Sequence, residues 1–177
     1  GAIYVGGFTC GDLDAQANGG GADAFVARYL PDGTRVWTRL LGGLGYQKAL
    51  GLAVGPDGSV SVTGLTLGPL AGQLVDGTCD AFVARYLPDG RQDWVRLLGT
   101  SGFDAATAIA TAYDGEIYIA GMTDGSFEGQ ANQGGYDAFL TKYFPDGTRA
   151  WTEQLGTPAS EYPYALGSGE NGSVYMA

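Results

Sequence analysis

The sequence predicts an all-β protein, a β-propeller built from four-stranded antiparallel blades on a 57-residue repeat, and three observations lead there. DAFVARYLPDG stands at residues 23–33 and again, letter for letter, at 80–90, with the variant DAFLTKYFPDG at 137–147. Each period holds four strand-like runs separated by turn residues. Glycine contributes 32 of 177 residues, far above the roughly 7% of average usage, as many tight turns between short strands require.

Copies starting at Gly1, Gly58 and Gly115 align without a gap, and a fourth begins at Gly172. The first run, as in GEIYIAG, alternates side chains and sets Ile117 and Ile119 on one face of a strand. The second, DAFVARY, is apolar or small on both faces around one basic residue, which suits a strand covered on both sides. PDG then turns the chain, proline fixing φ and glycine taking a positive one. The third run (TRVWTRLLG, RQDWVRLLG, TRAWTEQLG) carries a tryptophan and several charges, which discourage edge pairing and place it on the outer rim. The fourth (ALGLAVG, TAIATAY, YALGSGE) is dominated by small residues, as expected of an innermost strand where several sheets converge.

Fifty-seven residues is a generous blade beside the roughly 40 to 50 of familiar propeller repeats, and too short for the ~100 of an immunoglobulin-like unit. With the small-residue strand as the start of a blade, the chain divides into a partial blade 1–45, blades 46–99 and 103–156, and a partial blade 160–177. Propellers close with roughly four to eight blades. About three blades make an incomplete ring, expected to be a fragment of a longer propeller or one part of an assembled one.

The GxxYxxGxT strand, the GQxNxGGxDAF loop, the AKYxPDGxxxWxxxLG hairpin and the small-residue strand together resemble the bacterial β-propeller repeats known as SBBP-type. The third copy, TDGSFEGQANQGGYDAFLTKYFPDGTRAWTEQLG, matches best, and the second departs at GPLAGQLVDGTCD, where the Asn-Gly pair is lost. The resemblance covers the chain and implies repeats of large secreted or surface-attached bacterial proteins, hence an extracellular or cell-surface location. Trp37, Trp94 and Trp151, each followed by a Leu-Gly pair, also resemble the tryptophan docking motif of quinoprotein propellers, as a packing device alone.

The formal charge of −10 and a pI near 4.1 repel phosphate backbones and anionic lipid heads, so no nucleic-acid partner is expected. No apolar run reaches the ~18 residues of a bilayer span, so no membrane insertion is expected either. Histidine is absent, and with it the commonest general base and imidazole ligand. There is no GxSxG, HExxH or phosphate loop. Cys10 and Cys79 occupy non-equivalent repeat positions; they pair if neighbouring loops meet, and are otherwise two free thiols.

The strongest polar signal is the loop before the second strand, with Gln16, Gln73 and Gln130 each seven residues ahead of Asp23, Asp80 and Asp137. In a propeller this loop opens on the same face as the outer-to-inner connections, where Asp12, Asp14, Asp76, Asp104, Asp124, Glu128 and Glu161 also gather. That face is the candidate ligand-binding surface, with Gln16, Asp23, Gln73, Asp80, Gln130, Asp137, Asp104 and Glu161 as its residues. The first reading makes each Asp a turn cap and each Gln a brace across its loop. The second makes the loops Ca²⁺ sites, since Ca²⁺ takes six to eight oxygens, although no DxDxDG spacing occurs. Arg28, Arg85 and Lys142 share one position and read as blade-to-blade ion pairs, while the segment SEYPYALG departs from its counterparts.

The expectation is a non-enzymatic structural or recognition scaffold that binds a protein or surface polysaccharide through the loop face. The alternatives are a carbohydrate-binding or polysaccharide-degrading propeller, and a self-assembling surface-layer or appendage subunit.

Overall fold

The computed structural model describes residues 1–169 and 172–177, and every regular element in it is a strand. A three-stranded sheet orders β1 (Ile3–Thr9), β2 (Asp23–Tyr29) and β3 (Arg35–Leu41). A four-stranded sheet follows with β4 (Gln47–Val54), β5 (Val60–Thr66), β6 (Asp80–Tyr86) and β7 (Gln92–Leu98). A second repeats it with β8 (Asp104–Thr111), β9 (Ile117–Thr123), β10 (Asp137–Tyr143) and β11 (Arg149–Leu155), and β12 (Leu166–Ser168) pairs with β13 (Val174–Met176). All pairings are antiparallel between chain neighbours.

The PDG hairpin follows from its residues. Gly33 N–H donates to Leu30 O across Pro31 and Asp32, Gly33 has φ +86°, and the Asp32 carboxylate accepts from Thr34 N–H at 2.9 Å. The positive φ forces the register shift seen between Arg28 and Tyr29, and the same shift recurs at Arg85 and Lys142. These aspartates are turn residues.

Each DAFVARY strand is covered on both sides, as its composition predicts. Phe82, Ala84 and Tyr86 of β6 pack with Val60, Val62, Val26, Trp37 and Leu41 in one core. Ala81 and Val83, on the opposite face, pack with Trp94, Leu98, Ile109, Ile117, Ile119 and Phe139 in the next. Full burial of a Phe or Ile side chain contributes about 1.5–3 kcal/mol, so these two layers hold the sheets together.

The charged strands β3, β7 and β11 are sheet edges, and the small-residue strands β4 and β8 lie against each other and against the neighbouring sheets. Small residues are needed there because the backbones come close. A Cβ on Gly64 would strike Lys48 O and one on Gly121 would strike Ala105 O, at the bulges that shift register between Ala49 and Gly51 and between Ala106 and Ala108.

Candidate functional site

Because the sheets are meanders, the loops at 10–22, 42–46, 67–79, 99–103, 124–136 and 156–165 share one end of the strands. Backbone bonds join them: Gly21 N–H donates to Gly45 O, Leu67 N–H to Tyr46 O, Thr78 N–H to Gly102 O, and Gly135 N–H to Ala159 O. The bridges of Ala22 with Tyr46 and Cys79 with Phe103 are parallel.

The three glutamines do not open on this end. Each loop folds down the outside of its sheet, and the glutamine amide takes the place of a further strand. Gln16 Nε2 donates to Thr38 O at 3.0 Å and its Oε1 accepts from Leu40 N–H at 3.1 Å. Gln73 makes the same pair with Val95 O and Leu97 N–H, and Gln130 with Thr152 O and Gln154 N–H. The amide carries one donor and one acceptor, the two groups an edge strand offers in alternation. Asp14 and Glu128 follow the same path and pair with Arg35 and Arg149 beside β3 and β11, away from the loop end.

The aspartates at the starts of the middle strands are buried. Asp23 accepts from Gly19 N–H, Asp80 with both oxygens from Asp76 N–H, and Asp137 from Gln133 N–H and Gln154 Nε2. Their carboxylates rest against Gly42, Gly99 and Gly156, where a Cβ would coincide with them. This explains the invariant Leu-Gly after each outer strand within the chain.

A second set repeats the device before the small-residue strands. Asp104 accepts from Thr100 N–H at 2.7 Å and from Thr100 Oγ1 at 2.9 Å; Glu161 accepts from Thr157 N–H at 3.0 Å and from its hydroxyl. The third member, Gln47, is fully buried, accepts from Gly43 N–H at 3.1 Å and donates to Thr66 Oγ1. Sequence reasoning missed Gln47, although it stands in the same repeat column as Asp104 and Glu161. All eight candidate residues therefore bind backbone of their own chain, and among the described residues no three His, Cys, Asp or Glu side chains converge as a metal site would require.

The electrostatics are those of burial. Burial lifts the Asp80 carboxyl to about 6, the Asp76 N–H opposing the rise and the charges of Asp104 and Asp76 adding to it. Burial likewise raises Asp104 above the usual carboxylate range, against its bonds from Thr123 and Thr100. The Cys79 thiol is pushed up to about 12 by burial and then by Asp80 and Asp104. Cys79 is buried and Cys10 exposed, and both thiols are free, the second of the two readings the sequence leaves open.

The basic column does not form the ion pairs between sheets that its repetition predicts. Arg85 pairs with Asp57 and Asp93, and Lys142 with Glu116 at 2.6 Å, all within one sheet and not between sheets. Contact between sheets is made by the tryptophans instead. Trp37 Nε1 donates to Pro88 O at 3.1 Å and Arg39 Nε to Gly90 O at 2.8 Å; Trp94 and Arg96 repeat this with Pro145 O and Gly147 O. The outer strands β3 and β7 thus dock on the PDG turn of the next repeat, whereas Trp151 of β11 is exposed.

The loops also expose two leucines. Leu44 is 75% and Leu74 80% exposed, and the adjacent Asp76 side chain forms no hydrogen bond or ion pair among the described residues.

No family model matches the chain. It is similar to the regulatory protein FlaEY of Caulobacter vibrioides (strain ATCC 19089 / CIP 103742 / CB 15), 31% identical over an aligned length of 174 residues, with 92% of this chain and 18% of that protein covered. The chain thus spans less than a fifth of that relative's length. A crystal structure of a protein of unknown function from Bacteroides caccae overlays with a TM-score of 0.39 at 14% identity, covering 86% of this chain and 61% of the other.

Proposed function

We propose that the chain is an arc of a β-propeller, of the SBBP-like kind, that serves as a non-enzymatic scaffold and recognises a protein partner through its loop end. The observation that carries this reading is the repeated docking of Trp37 and Arg39 on the turn at 88–90, and of Trp94 and Arg96 on the turn at 145–147. One contact repeated at each step is how a radial array of sheets is built. Recognition by binding is supported by the way the polar loop side chains are used: as caps they hold the loops rigid, and a rigid surface loses little entropy on association. Leu44, Leu74 and Asp76 supply an apolar contact with an acidic neighbour on that surface.

The name of the similar regulatory protein supports a regulatory or scaffold role. A bacterial surface location belongs to the same proposal and rests on the SBBP-type resemblance. Stacking on polysaccharide is less favoured, because Trp37 and Trp94 are buried between sheets.

The test compares the chain with a variant carrying Leu44→Ala, Leu74→Ala and Asp76→Lys, cross-linked to proteins of a bacterial surface extract and quantified by mass spectrometry. A defined partner lost from the variant is the expected outcome. Equal yields of every captured protein would remove the loop end from the proposal.

A further inference from the structure

One repeat column holds tyrosine in the first, third and fourth copies, at Tyr4, Tyr118 and Tyr175, and serine in the second, at Ser61. Tyr4 shows what the ring does there. It packs on the core that holds Val60 and Trp37, with its centroid 5.9 Å from that of Trp37, and its hydroxyl donates to Gly58 O at 2.9 Å on a turn of the next sheet. Tyr118 likewise lies 6.1 Å from Trp151, with the Lys142 ammonium 5.7 Å from its centroid.

At Ser61 the ring is gone and its space remains. A cavity of about 120 Å³ lies between the two four-stranded sheets, at the end of the strands opposite the loops. Its walls are the counterparts of what Tyr4 meets: Gly115 stands in the column of Gly58, and Ile117 in that of Val60. Arg85 is the cross-strand neighbour of Ser61, as Lys142 is of Tyr118, and it lines both the cavity and an adjoining groove bordered by Trp94. Two hydroxyls facing the cavity are left over. Ser61 is 2% exposed and its side chain forms no hydrogen bond among the described residues, and Thr111 Oγ1 is buried without a partner. Every one of these residues belongs to the two complete sheets, flanked on both sides by further chain.

We propose that this cavity binds a small monocyclic phenol, which takes the place of the tyrosine side chain that Ser61 lacks. The ring lies between Ile117 and Arg85, and its hydroxyl donates to Gly115 O and accepts from Thr111. The size is suitable, since an engineered cavity of about 150 Å³ in another protein takes up benzene. The guanidinium beside the ring and the polar groups at its far end select a phenol over an aliphatic guest. The site is remote from the loop surface, so its occupancy is independent of protein recognition there.

The probe is p-cresol, the tyrosine side chain as a free molecule, titrated into the full chain by calorimetry and located by nuclear Overhauser contacts. One site with a dissociation constant on the order of 1 mM is expected, with contacts from the ring to the Ile117 methyls. Toluene binds about fivefold more weakly because it leaves the carbonyl and the hydroxyl unpaired, and Thr111→Val narrows that difference. Ser61→Tyr fills the cavity, abolishes binding and raises the denaturation midpoint, since Tyr4 and Tyr118 show that the column accepts the ring. Absence of binding at tens of millimolar p-cresol, contacts away from Ile117, or undiminished binding to Ser61→Tyr would overturn the proposal. A Gly-Gly-Tyr-Gly-Gly peptide that binds about tenfold more tightly than p-cresol would overturn the free phenol as occupant and make a partner's tyrosine the guest.

Discussion

The carboxylate of Asp80 occupies the space that a side chain on Gly99 would need. Asp80 opens β6 and Gly99 follows β7, so the contact ties the start of the middle strand to the end of its outer neighbour. A side chain at position 99 has no room while the carboxylate stays in place. Gly99→Ala forces the buried carboxylate off the Asp76 amide, and a loss of about 2–3 kcal/mol is expected. Urea unfolding checks it, with Gly11→Ala as the control, since a Cβ there meets nothing within 4 Å. Equal midpoints for the two variants would mean that the carboxylate relaxes freely.

Gln73 gives a sharper chemical test, because one side chain supplies a donor to Val95 O and an acceptor to Leu97 N–H. Gln73→Ala removes both bonds and is expected to cost about 1–2 kcal/mol. Gln73→Glu keeps the acceptor but sets a carboxylate oxygen against the Val95 carbonyl, and at pH 7 is expected to cost more than alanine. The order of the two denaturation midpoints decides whether the amide acts as a strand surrogate or as filler.

These residues mark how far the sequence was legible. Turn chemistry acts over four residues, so the PDG hairpins and the strands around them could be read directly. The tryptophan docking was readable as a repeated packing position, although its partner, a carbonyl 51 residues away, was not. The glutamines stand out as a column, but their partners lie 22 to 24 residues along the chain on an edge that exists only after the outer strand has paired, so the column alone does not place them. A repeat alignment ranks positions, not distances, so the basic column reads as ion pairs between sheets, whereas Asp57 reaches Arg85 from 28 residues away through the pairing of β4, β5 and β6.

The thiols are expected to react in sequence. Cys10 is exposed, whereas Cys79 is buried and its thiol is held up to about 12, leaving almost no thiolate near neutral pH. A colorimetric thiol reagent at pH 8 therefore titrates one equivalent in the native chain and two in denaturant, and Cys10→Ser abolishes the fast equivalent. Two equivalents in the native state would place Cys79 in an opening segment, and none in denaturant would reveal a disulfide.

Asp80 makes stability fall as pH rises, opposite to the behaviour of most paired carboxylates. Its folded value of about 6 lies above the value of 3.8 taken for an unperturbed aspartate. Below about pH 4 both states hold the proton; between 4 and 6 the unfolded chain has released it while the folded chain retains it. The folded state therefore loses stability across that window, by on the order of 2–3 kcal/mol, and the loss is constant above it. Asp104, also raised by burial, adds in the same direction. Asp32, Asp57 and Asp146 are lowered and contribute with the opposite sign, but only beneath about pH 4, where the unfolded carboxyls titrate. Urea midpoints measured from pH 4 to 7.5 should decline, and Asp80→Asn, which keeps one oxygen for the Asp76 amide and has no proton to release, should flatten the decline. A midpoint that rises over this range, or a slope unchanged in Asp80→Asn, would mean that Asp80 is ionised in the fold at pH 5 and that its cap is a charge-assisted one.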